Sequence, residues 1–235
     1  MCGYCRARYL SAPLARCLQC GLPGDLLRCQ HCLQTEPAYD DTVVAVDYEA
    51  PFDHLVWALK FGHQLNHAAL FANMMLDAVL QTRHLPALPT RLLPVPLSRQ
   101  RLQERGFNQA LEIAKPLARG LGLPVLPRAL IRLRDTQAQS LLHIKARSRN
   151  VQGAFALAGD AHDEVAGQHV ALIDDVMTTG ATLNELAHLL KRYGASRVSN
   201  LVFARTPPPE MSDAADAAAV LIPAASLATT SVAPD

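Results

Sequence analysis

The chain has 235 residues, half of them hydrophobic, with 22 Lys and Arg against 21 Asp and Glu. That length supports one full-sized core plus a small module, and the near-neutral balance excludes a global attraction to nucleic acid, so any such binding must rest on local patches. No apolar run approaches the ~20 residues of a membrane span, and Met1-Cys2-Gly3-Tyr4 lacks the basic start and apolar core of a cleavable signal, so a cytoplasmic location is expected.

Six cysteines without an export signal favour metal or free thiols over disulfides. They fall in three Cys-x-x-Cys pairs, Cys2/Cys5, Cys17/Cys20 and Cys29/Cys32. Two such knuckles complete a tetrahedral four-cysteine zinc site, and a segment too short for its own core draws folding free energy from the ion. Cys17, Cys20, Cys29 and Cys32 are the expected structural set because they lie nearest in sequence; Cys2 and Cys5 are substitutes for either pair. His31 is expected beside the site, and a redox role is the alternative.

Pro37 marks the exit from this module. Thr42 to Tyr48 is β-branched and reads as a strand. Phe52, Leu55, Val56 and Leu59 then recur at helical spacing up to Lys60-Phe61-Gly62. A last-turn lysine is favourable with the helix dipole whether or not it meets a ligand. A long helix is predicted over residues 66–81, with Met74 and Met75 as core filler. His63, His67 and His84 have no paired ligand spacing and are expected at the surface. Residues 91–97 read as a strand closed by prolines. A basic loop containing Arg99, Arg101 and Arg105 leads through Asn108 into a helix ending near Gly120, and a further strand is expected near residue 130. A second basic stretch runs from Arg132 to Asn150.

The most informative stretch is residues 169–183. Val170 to Ile173 is an unbroken apolar run suited to a strand buried on both faces. Asp174 and Asp175 stand where it should end, Thr178-Thr179-Gly180-Ala181-Thr182 forms a small hydroxyl-rich turn, and Leu183, Leu186, Ala187, Leu189 and Leu190 continue at helical spacing. A helix N-terminus with free amides binds phosphate, and Gly180 lets the backbone approach a ligand oxygen. The two acids repel phosphate but accept hydrogen bonds from sugar hydroxyls or hold magnesium through water. Together these describe a ribose 5-phosphate site. The plainer alternative is a buried strand with an Asp cap and a Thr-rich turn; a receiver-type acidic pair leaves the turn unexplained. Val198 to Thr206 gives a last strand, stopped by Pro207-Pro208-Pro209, and the remainder reads as a disordered tail, with a marginal helix over residues 213–222 as the alternative.

Val-Ala-Leu-Ile-Asp-Asp-Val-Met-Thr-Thr-Gly-Ala-Thr resembles the phosphoribosyl pyrophosphate (PRPP) motif of type I phosphoribosyltransferases. With Val95-Pro96-Leu97, Arg105-Gly106-Phe107-Asn108-Gln109 and Arg147 through Phe155, the resemblance narrows to the ComF family of competence and DNA-utilisation proteins, from about Cys2 to Thr206. It implies an α/β fold, a parallel sheet with helices on both faces, over residues 37–206, a zinc knuckle module over 1–36 and a tail over 207–235. It implies Asp174 and Asp175 on the ribose, residues Thr178, Thr179, Gly180, Ala181 and Thr182 on the 5-phosphate, and Arg105, Asn108 and Lys60 near phosphate. The basic stretch up to Asn150 corresponds to a hood that closes over substrate. Implied cofactors are structural Zn2+ and Mg2+ accompanying PRPP. Two roles follow. One is a protein that takes PRPP or a nucleotide, with or without transferase activity; the other is a non-catalytic adaptor for single-stranded DNA that meets DNA-import proteins.

Overall fold

The computed structural model describes residues 15–82, 87–134 and 153–207. Cys2, Cys5, His84, the basic stretch from residue 135 to its end at Asn150, and the tail beyond residue 207 lie outside these. In chain order the elements are Gln30–Thr35 (α1), Asp41–Asp47 (β1), Phe52–Phe61 (α2), Asn66–Gln81 (α3), Arg91–Pro94 (β2), Arg99–Arg105 (α4), Gln109–Leu121 (α5), Leu130–Arg132 (β3), Phe155–Leu157 (β4), His162–Val165 (α6), His169–Met177 (β5), Ala181–Arg192 (α7) and Arg197–Arg205 (β6).

The central sheet has four parallel strands in the order β1-β6-β5-β2. Because strand side chains alternate, β5 sends Leu172 to one face and Ile173 to the other. On the first face Leu172, Val198 and Val202 meet Leu186 and Leu190 of α7. On the second, Ile173, Leu201 and Phe203 meet Phe71 and Met75 of α3 and Ile113 and Leu117 of α5. Phe71 stacks on Phe203 with ring centroids 3.6 Å apart. Helices therefore cover both faces, which is why the strands read as continuous apolar runs. Met74 and Met75 are core residues, His63 is exposed, and His67 is half-buried and stacked on Phe71.

Two expectations need correction. The strand near residue 130 is not in the parallel sheet: β3 pairs antiparallel with β4 in a separate two-stranded sheet. Among the described residues that follow α5, Val125 forms a single parallel bridge to Leu92 beside β2. Residues 99–105, read as a loop, form helix α4. Ser98 caps it by accepting the Arg101 amide at 3.3 Å, and Gly106 ends it in the left-handed region at φ 74.

The cysteine-bearing segment docks on β1, the outer strand. The Thr42 amide donates to the Leu18 carbonyl at 2.9 Å, and the Thr42 hydroxyl donates to the Gln19 carbonyl at 2.6 Å. Arg16 grips Asp47 through two hydrogen bonds of 2.9 and 3.0 Å. Gly21 sits so close to the strand that a Cβ there would overlap Val44 Cγ2. Cys17, Cys20 and Cys32 consequently belong to the same apolar core as the α7 face of the sheet.

Candidate sugar-phosphate site and four-cysteine cluster

The turn after β5 forms an open cleft with about 230 Å³ of empty space, part of it open to solvent, lined by residues that include Asp174, Thr178, Gly180, Ala181 and Thr182. Gly180 adopts φ +79 and precedes the first residue of α7. A Cβ there would lie 2.7 Å from Met177 Cε and 3.0 Å from the Tyr39 hydroxyl, so both conformation and space select glycine. The Thr179 hydroxyl accepts the Ala181 amide at 3.3 Å, and the Gly180 carbonyl accepts the Asn184 amide at 2.8 Å, starting the helix.

The acids part company. Asp174 lines the cleft, whereas Asp175 is 2% exposed and turned to the other face. There its Oδ2 lies 2.5 Å from Lys60 Nζ, at the end of α2, and its Oδ1 accepts from Gln109 Nε2 at 3.3 Å. The Asp175 amide donates to Asp174 Oδ1 at 2.9 Å. Burial, reinforced by the neighbouring Asp175 charge, pushes the Asp174 carboxyl well above the usual carboxylate range. Burial acts the same way on Asp175, but the Lys60 ammonium and the hydrogen bonds outweigh it and hold that carboxyl below its ordinary value.

Lys60 thus pairs with Asp175, beneath the cleft. Arg105 is half-buried, donates to Gln109 Oε1 at 3.0 Å and lies over the Phe61 ring at 5.1 Å. Asn108 is engaged within the protein: its Oδ1 caps α5 through the Ala110 amide at 3.0 Å and its Nδ2 donates to the Val95 carbonyl at 3.0 Å. Sequence reasoning missed Gln109, which joins Arg105 to Asp175. It also missed Tyr39 and Arg205, which back the turn. The signal for Arg205 was a cation closing a mainly apolar strand that Arg197 opens.

The ligand atoms of Cys17, Cys20, Cys29 and Cys32 all lie within 4.8 Å of one another. Cys17 and Cys32 sulfurs are 3.9 Å apart and those of Cys20 and Cys29 are 3.6 Å apart. Four thiolates about 2.3 Å from one tetrahedral ion would be separated by about 3.8 Å, so the cluster fits a metal such as zinc. The Cys29 amide donates to Cys17 Sγ at 3.2 Å, orienting one ligand. Hydrogen bonding from Cys32 draws the Cys20 thiol down to about 5 despite opposing burial.

The family model described as phosphoribosyl transferase domain matches residues 108–226, which include the whole acid-and-threonine turn. The DNA utilization protein YhgH of Salmonella typhi is 39% identical over 211 residues, covering 88% of this chain and 90% of that protein. The chain belongs to the ComF family. A second ComF-family relative, Competence protein F of Haemophilus influenzae, is 35% identical over 202 residues, or 84% of this chain and 87% of that one. Among solved structures, the purine phosphoribosyltransferase of Pyrococcus horikoshii Ot3 is similar at 17% identity and a TM-score of 0.31, covering 71% of this chain and 79% of that one. The ComF-family chain carries a phosphoribosyltransferase-type α/β fold with a four-cysteine cluster at its N-terminal side. No helix among the described residues is long and apolar enough to cross a membrane.

Proposed function

We propose that this ComF-family chain binds PRPP, or a nucleotide sharing its ribose 5-phosphate, and acts in DNA utilisation or competence. The observation that carries this reading is the meeting of Asp174 with the Thr178–Thr182 turn in one cleft at the carboxyl end of a parallel strand. The α7 N-terminus and the threonine hydroxyls would hold the phosphate, while Asp174 accepts from ribose hydroxyls. Asp175 acts one layer beneath, keeping Lys60 and Gln109 in place. Magnesium, which favours phosphate oxygens and retained waters over an all-protein cage, would be carried by the ligand's pyrophosphate, with Asp174 the acid available on the cleft wall. If pyrophosphate leaves, positive charge develops on the ribose, and an ionised Asp174 would stabilise it. Arg105 would face the departing anion from the end of α4. In the cysteine cluster we assign zinc, held by Cys17, Cys20, Cys29 and Cys32, as a structural ion.

A second reading, a single-stranded DNA adaptor, draws support from the names of the relatives and from one surface. Trp57 and Phe61 are 62% and 55% exposed, with ring centroids 5.8 Å apart and Arg105 over one of them. Exposed aromatics beside cations suit stacked bases. Calorimetry separates the two readings. Saturable PRPP–Mg2+ binding lost on Asp174→Asn supports the first. Salt-sensitive binding of a short oligonucleotide that survives Asp174→Asn, with no PRPP binding, overturns it in favour of the second.

A further inference from the structure

Arg205 is 3% exposed at the end of β6 and donates to four main-chain carbonyls. Nε donates to the carbonyl of Cys20 at 2.9 Å, a residue of the metal cluster. Nη1 donates to the Met177 carbonyl at 2.9 Å, to the Thr178 carbonyl, and to the Thr206 carbonyl at 2.9 Å. One planar guanidinium therefore grips a cysteine knuckle and the first residues of the phosphate-type turn together. Its rigid fork serves several acceptors at fixed angles, which lysine cannot reproduce.

A second tie runs alongside. Gln19, inside the Cys17/Cys20 knuckle, donates through Nε2 to the carbonyls of Pro37 and Tyr39, both at 3.0 Å. The Ala38 amide between them donates to Asn184 Oδ1 at 2.7 Å, on the first turn of α7. The Tyr39 hydroxyl abuts Gly180. Both ends of the turn are thus fastened to the segment that holds the cysteines. A divalent ion among four thiolates leaves a net charge of about −2, a counter-charge for a guanidinium that is buried beside it.

Resting on the sugar-phosphate reading above, we propose that the four-cysteine metal centre positions the phosphate-binding turn through Arg205. Metal and sugar phosphate then bind with positive cooperativity. Linkage is reciprocal: whatever factor the ion adds to PRPP affinity, PRPP adds to the affinity for the ion.

The test uses the zinc-loaded full chain. Transfer of zinc to a chromogenic chelator is followed with and without PRPP–Mg2+, PRPP binding is measured by calorimetry, and amide exchange over residues 177–182 is read by mass spectrometry. The expected result is zinc transfer slowed about tenfold by PRPP in the wild type. Arg205→Met should bind PRPP at least tenfold more weakly, show faster amide exchange in the turn with zinc still bound, and lose the PRPP effect on zinc transfer. Arg205→Lys should recover only part of it. If PRPP binds the wild type but leaves zinc transfer unchanged, the coupling is overturned while the sugar-phosphate reading stands. If PRPP does not bind, that reading fails, and the positioning role is judged on exchange alone: turn amides equally protected with and without zinc overturn it. The wild-type arms need no substitution, so a variant that fails to fold does not remove the test.

Discussion

Replacing Lys60 by methionine should be among the most damaging single changes at this site, through Asp175 and not through a ligand. The ammonium lies 2.5 Å from a carboxylate whose side chain is only 3% exposed, while the lysine side chain itself is 20% exposed. Removing one partner of a buried pair costs about 3–5 kcal/mol. The residual exposure of Lys60 favours the lower end, about 3 kcal/mol, or a fall in Tm of about 6–12 °C for a chain of this size. Removing both charges in Lys60→Met/Asp175→Asn should restore stability to within about 1 kcal/mol of wild type. The pH dependence carries a sign. In the wild type the lowered Asp175 pKa gives stability that is present above the unfolded value and lost as pH falls through the folded one. In Lys60→Met burial is left to raise that pKa, so stability falls as pH rises from about 3.9 upward. The gap between the two proteins should therefore widen from pH 4 to pH 7. Denaturant titrations across that range measure it. A gap independent of pH, or a double variant no more stable than Lys60→Met, would refute the reasoning.

Three further outcomes follow from the same geometry. The raised Asp174 pKa moves ionisation of the cleft acid to higher pH, and it is the ionised form that accepts best from ribose hydroxyls. PRPP affinity of the wild type, read by calorimetry, should rise with pH through that folded pKa, and stability from Asp174 should decline over the same interval, as expected for a carboxyl raised above its unfolded value; Asp174→Asn, which loses PRPP binding, should flatten the stability profile in thermal melts. Gly180→Ala forces a side chain into φ +79 beside Met177 and Tyr39. It should cost about 1–2 kcal/mol and weaken PRPP binding at least tenfold, and a variant that melts and binds like wild type would contradict the strained turn. Cys32→Ser removes one of four clustered sulfurs, so elemental analysis should fall from one zinc per chain to a substoichiometric value with a lowered Tm, while unchanged zinc content would place the ligands elsewhere.

The sheet and the turn were legible because burial on both faces leaves an unmistakable trace: Val170 to Ile173 has no polar interruption before the acids, and α3 keeps its apolar spacing over four turns. The four cysteines declared themselves by knuckle spacing. Helix α4 escaped because Arg99, Gln100, Arg101 and their neighbours have no apolar stripe, although the Ser98 and Gly106 caps bracketed them. The strand at Leu130 was seen but misplaced, since three residues carry too little pattern to name a partner. The differing fates of Asp174 and Asp175 follow from strand alternation alone. The pairing of Asp175 with Lys60, however, depends on α2 crossing the second face, and the grip of Arg205 on Cys20 joins positions distant in sequence. Such contacts are products of topology, and local sequence does not announce them.

The way the Leu18 carbonyl takes up the Thr42 amide has a bearing on how the protein behaves in a crowded solution. An outermost strand left bare is a template on which another chain can stack, and β1 is such a strand on the side away from β6. The cysteine segment acts as its sheath, fastened by Arg16 at Asp47 and seated through Gly21 against Val44. With the proposed ion in place among the four cysteines, stripping it would bare that rim, and the first symptom would be turbidity that grows with protein concentration.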